Sequence, residues 1–124
     1  MEILAPISLG ELYDKISILE IKLDKITDEN KLSNISTELN KLNAIAEKHP
    51  IESDIYLRLK RVNFFLWEIE DDLRKREKDK RFDGFFIHLA RSVYVTNDER
   101  AVIKREINEQ YGSQIIEEKS YEKY

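Results

Sequence analysis

A chain of 124 residues, 37% charged and 41% apolar, is long enough to close a core of its own and reads as one domain over 1–124. It has no cysteine, which excludes disulfides and thiolate metal sites and points to the cytoplasm. A net charge of -4 offers no field for a phosphate backbone, and no apolar run approaches the roughly 18 residues of a bilayer span, so neither nucleic acid nor membrane is an expected partner.

Three glycines and two prolines leave few turn formers, and the expected class is all-α. Met1–Pro6 has neither a basic start nor a long apolar stretch and does not read as a signal peptide. Ser8-Leu9-Gly10-Glu11 is a capping box, with Ile7 and Leu12 at the staple positions, so a first helix is expected over about 8–27. Leu9, Leu12, Ile16, Leu19, Leu23 and Ile26 follow in three-four spacing, a coiled-coil seam that calls for a partner helix at a shallow angle.

Asp28-Glu29-Asn30 interrupts the pattern. A second helix is expected over 31–48, with Leu32, Ile35, Leu39, Leu42 and Ala46 inward, and the short break predicts a long antiparallel helical hairpin. His49-Pro50 ends it. The third helix, 51–81, carries Ile55, Leu59, Val62, Leu66, Ile69 and Leu73 along its seam. Its middle, Val62 to Ile69, is apolar on nearly every side, which predicts that it is central to the bundle or bears a subunit interface through Phe64, Phe65 and Trp67. Asp83-Gly84 marks a turn. Two shorter helices are expected beyond it, 84–94 and 97–111, separated by a second capping box at Thr96-Asn97-Asp98-Glu99. Gly112 suits a left-handed C-cap, and 113–124 reads as a tail.

Several clusters are candidates for chemistry. Glu68 and Asp71 make a Glu-x-x-Asp pair of the kind that presents two carboxylates to Mg²⁺ in all-helical nucleotide pyrophosphohydrolases. The second acidic motif of those enzymes is absent here. Glu70–Arg74, Asp71–Lys75, Asp72–Arg76 and Glu77–Arg81 are all spaced i,i+4, so a salt-bridged solvent face is the favoured reading. Asn63, Glu70 and Glu77 lie seven apart beside the third seam, as Lys15 and Lys22 do beside the first. Lysines facing glutamates across the two helices is one expectation, and two separate rows facing water is the other.

The last third gathers Arg91, Asn97, Asp98, Arg100, Lys104, Arg105 and Asn108, a basic and amide-bearing set that suits a carboxylate or phosphate. If the chain is an enzyme, the candidate polar site is Glu20, Lys22, Glu70, Asp71, Arg91, Lys104 and Asn108, with a small anionic ligand and Mg²⁺ only under that alternative. His49 and His88 have no partner at metal-ligand spacing, so no metal site is expected. No catalytic triad or glycine-rich phosphate loop occurs.

The stretch from Ile7 to Lys22 resembles the opening of a family catalogued as domain of unknown function 6165. Leu66-Trp67-Glu68-Ile69-Glu70-Asp71, Ala90-Arg91-Ser92-Val93-Tyr94 with Asn97-Asp98, Lys104-Arg105-Glu106-Ile107-Asn108 and Glu117-Glu118-Lys119-Ser120-Tyr121 resemble it too. The resemblance covers nearly the whole chain and implies a stand-alone bacterial or phage protein with no assigned activity. It singles out Glu11, Asp14, Lys15, Glu20, Lys22, Trp67, Glu70, Asp71, Arg91, Asn97, Asp98, Lys104 and Asn108 as motif residues. The first half is also superficially similar to a helical chorismate mutase, without the arginine pattern such an enzyme needs. The expectation is therefore a helical bundle of unknown function: a cytoplasmic interaction module that self-associates as a homodimer, or a small-molecule or nucleotide-binding enzyme.

Overall fold

The computed structural model describes residues 1–124 and contains four α-helices and no strand. They are α1 (Leu9–Lys25), α2 (Glu29–Ala46), α3 (Ser53–Lys78) and α4 (Gly84–Gln110). Helix α1 packs against all three others, α3 and α4 pack against each other, and the backbone of α2 lies close to α1. Tyr13, early in α1, donates its hydroxyl to the carbonyl of His49, just past the end of α2, so these two helices run in opposite directions.

The helix ends follow from local chemistry. Ser8 accepts from the Glu11 amide at 3.1 Å, Asp28 from Lys31 at 3.0 Å and Asp83 from Phe86 at 3.0 Å, each satisfying an amide that has no partner inside its helix. Lys80, at φ 54°, ends the turn beyond α3. Gly112, at φ 67°, lets the Ser113 amide double back to the carbonyl of Asn108 at 2.8 Å, the Schellman closure of α4.

The core lies where the first half of α3 and the last third of α4 meet α1 and α2. It is built from Leu12, Ile16 and Leu19 of α1, Ile35 and Leu39 of α2, Ile55 and Leu59 of α3, and Ile103 and Ile107 of α4. Complete burial of a side chain such as Leu59 or Ile107 is worth about 1.5–3 kcal/mol. The rest of α3 and α4 continues as a two-helix arm, with Leu66, Ile69 and Leu89 buried.

Two expectations are corrected. The shorter helices 84–94 and 97–111 are one continuous helix, α4. Thr96 does not cap. It lies buried in mid-helix, because no glycine or proline precedes it to stop the helix and α3 packs alongside. The third helix is also not the hub: its backbone runs close to α1 and α4 only, whereas α1 lies close to all three others. Its apolar middle is not buried all round: Phe64 and Phe65 are 45% and 55% exposed. The central helix is α1, the shortest of the four.

Candidate functional site

The first four amides of α1 have no acceptor within their own helix, and the fold supplies one for each. Glu11 and Leu12 bond to the side chain and carbonyl of Ser8. Leu9 reaches Ser113 Oγ at 3.2 Å, and Gly10 reaches Asn108 Oδ1 at 2.7 Å. The end of α4 thus caps the start of α1. Gly10 makes the approach fit: a Cβ there would lie 2.6 Å from the Lys104 carbonyl oxygen. Its role is close interhelical contact.

One turn further along, Lys104 is buried among carboxylates. Its Nζ lies 2.7 Å from Glu11 Oε2, 3.5 Å from Asp14 Oδ2 and 3.8 Å from Glu117 Oε1. Burial alone would lower its pKa. The hydrogen bond it donates to Glu11 and the charges of Asp14, Glu11 and Glu117 together outweigh that and hold it above the ordinary lysine value. Glu11 therefore does not complete its capping box, because its carboxylate is committed to Lys104.

The network continues into α3. Asn63 Nδ2 donates to Asp14 Oδ1 at 2.7 Å and to Ser17 Oγ at 2.8 Å, and Ser17 donates to the Asp14 carbonyl. Asn63 Oδ1 accepts from Arg100 Nη1 at 3.2 Å, and Arg100 Nη2 donates to Asn97 Oδ1 at 2.7 Å. Asp14, Ser17 and Asn63 are all buried. A buried polar chain whose members are all partnered fixes one relative setting of the helices that share it. Ser17, wholly enclosed, is in no position to act as a nucleophile.

Beside this network a groove of about 460 Å³ opens between α1 and the arm. Ile18 and Ile21 of α1 and Leu66 and Trp67 of α3 form its apolar walls. Asn63, Glu70, Asp71, Arg74 and Arg100 supply its polar edge.

The residues proposed from sequence do not meet at one place. Lys104 and Asn108 lie at the α1–α4 contact. Glu70 and Asp71 lie on the groove rim and bond along their own helix, Glu70 to Arg74 at 3.5 Å and Asp71 to Lys75 at 3.1 Å. Glu20 is 3.8 Å from Lys60, with one oxygen buried and unpartnered. Arg91 is exposed and Lys22 half-buried, and neither makes an ion pair.

The expected pairing of Lys15 and Lys22 with Glu70 and Glu77 is absent. Lys15 lies 3.9 Å from Glu11 on its own helix. The ion pairs that join helices are Lys25–Glu68, Lys60–Glu20, Arg58–Glu106 and Lys104 with Glu11 and Asp14. No group of three or more histidine, aspartate or glutamate side chains is arranged to hold a metal, and no helix is long and apolar enough to cross a membrane.

Glu11, Asp14, Ser17, Asn63, Asn97 and Arg100 belong to the network around Lys104 and Asn63 and lie outside the candidate polar site. A family model described as a family of unknown function (DUF6165) matches residues 3–124. The chain belongs to that family. Membership in DUF6165 brings no activity with it, and no curated protein and no solved structure matches the chain.

Proposed function

We propose that this chain is a helical assembly module that pairs with a second copy of itself through the α3–α4 arm. The observation that carries the reading is the apolar surface left along α3, α4 and the turn between them: Phe64, Phe65, Phe82, Phe85, Ile87, Tyr94, Val95 and Val102 are each more than two-fifths exposed. Scattered apolar side chains are ordinary on a protein surface, but a concentration of aromatic ones on one projecting element marks an interaction site.

The area agrees. A compact monomer of 14.8 kDa presents roughly 7,000 Å² to water. This chain presents 9042 Å². The excess of roughly 2,000 Å² is shared between the extended terminal segments, exposed at Met1, Leu4, Tyr121 and Tyr124, and the helices, and leaves room for an interface of ordinary size.

The charge pattern favours a two-fold partner. Helix α3 is acidic at Glu68, Glu70, Asp71 and Asp72, then mainly basic at Arg74, Lys75, Arg76 and Lys78. Two copies set antiparallel about a point near Leu73 lay acid against base. The same axis brings Phe64 and Phe65 of one copy toward Phe82 and Phe85 of the other. In this reading the α1–α2 hairpin is a buttress on the arm, and the lack of cysteine suits a reducing cytoplasm.

Sedimentation velocity of the Phe65→Glu/Phe85→Glu double variant tests the interface. The expected result is a dimeric parent and a monomeric variant with unchanged helical circular dichroism. A variant that keeps the parent's mass contradicts the proposed face.

A further inference from the structure

Arg100 differs from Lys104, the buried cation of this fold. Lys104 is surrounded by three carboxylates, whereas Arg100 has no carboxylate within 4.0 Å. Two neutral amide oxygens, from Asn63 and Asn97, hold its guanidinium in place. Two of its five N–H groups are spent on them, which leaves donors and a full positive charge at the edge of the groove. A half-buried guanidinium that is oriented yet uncompensated is poised for an anion.

The walls say what kind of anion. Ile18, Ile21, Leu66 and the indole of Trp67 give the groove an apolar body, and its volume falls in the range of small-molecule sites. Arg74 on the rim is paired with Glu70, which leaves the charge of Asp71 to disfavour a multiply charged phosphate. A single carboxylate carries one charge and matches the planar fork of arginine. We infer that the groove binds a monocarboxylate with an aromatic or branched apolar body, the carboxylate on Arg100 and the body against Trp67, Ile18 and Ile21. The carboxylate belongs either to a free small molecule or to the C-terminus of a peptide.

Trp67 is the chain's one tryptophan, so its emission reports on this groove alone. The full-length protein is titrated with 3-phenylpropionate, with its neutral amide, and with an acetylated peptide ending in phenylalanine as free acid or amide. The expected result is a saturable change in Trp67 emission with a Kd of about 1 mM or tighter for an acid and none for the matching amide. A stronger response to the peptide acid assigns the site to a chain terminus, and a stronger response to phenylpropionate assigns it to a metabolite. Arg100→Gln should weaken binding at least tenfold. Ile18→Phe, which fills the groove and leaves the Arg100 bonds untouched, should abolish it and decides the matter if the arginine variant does not fold. Equal responses to acid and amide, undiminished binding by either variant, or no response to any probe would overturn the inference. Phe65 and Phe85 do not line the groove, so the monomeric double variant, whose Glu70–Arg74 rim meets no second copy, should keep the preference for acid over amide, which separates this site from self-association.

Discussion

The side-chain amide of Asn63 donates to the carboxylate of Asp14 across 2.7 Å, joining α3 to α1 inside the protein. The same amide group accepts from Arg100 of α4 through its oxygen. One buried residue thus links three helices, and its chemistry is hard to replace. Asn63→Leu keeps the branched shape in a larger side chain and removes every bond, leaving Asp14 with Lys104 at 3.5 Å but without its closest partner. Urea unfolding should show a loss of about 2–4 kcal/mol, since a buried carboxylate that loses a hydrogen bond costs more than a neutral group does. A change under about 0.5 kcal/mol would mean the network does not hold the helices.

Gly10 is the second point of contact between α1 and α4. In most helix interiors Gly→Ala gains about 0.5–1 kcal/mol. Here the added methyl would meet the Lys104 backbone oxygen at 2.6 Å, and that atom belongs to a helix rather than to a flexible side chain. Gly10→Ala should therefore lower stability by about 1–3 kcal/mol, read as a lower urea midpoint. A stabilised variant would show that the two helices are not in close contact.

Gly84 and Gly112 should behave differently from each other. Nothing lies within 4 Å of a Cβ at either, but only Gly112 has a positive φ, 67°. Gly112→Ala should cost about 1–2 kcal/mol through backbone strain at the end of α4. Gly84→Ala should be neutral or mildly stabilising. Paired thermal melts distinguish the two, and equal melting temperatures would contradict the left-handed cap.

The alkaline limb of stability follows from two groups. Burial raises the Tyr13 hydroxyl above its ordinary 10.0, helped by nearby Tyr111 and opposed by a backbone hydrogen bond. Lys104 is held above 10.5 by its carboxylate partners, against the effect of burial. Both groups keep their protons longer when folded than when unfolded. Their contribution is complete below these unfolded values and is lost as pH rises through the folded ones. Urea midpoints should be level up to about pH 9 and fall from about pH 10 upward. A midpoint that rises over that interval would contradict the assignment.

The helical class, the starts of α1 and α4 and the glycine cap at Gly112 were all legible in the chain, because each rests on contacts within a few residues. The missed break at Thr96 shows the limit of such reasoning. A capping box needs a chain that turns away, and packing of α3 against α4 keeps it straight. The buried site was half visible. Gly10, Asp14, Ser17 and Ile21 form a second three-four stripe on α1, small and polar rather than leucine-rich, and that stripe is the face turned toward Asn63, Asn108 and Lys104. The ion pairs were out of reach. Lys15, Lys22, Glu70 and Glu77 fit the heptad rule, but which lysine faces which glutamate depends on how far α3 is displaced along α1, a distance that spacing within one helix does not contain.

The most direct measure of the account is the mass of the unaltered protein in solution. Multi-angle light scattering across a concentration series should give twice the 14.8 kDa chain mass, unchanged on dilution to low micromolar. A single-chain mass at every concentration would mean that the exposed phenylalanines of the arm meet no second copy, and the assembly reading would fall.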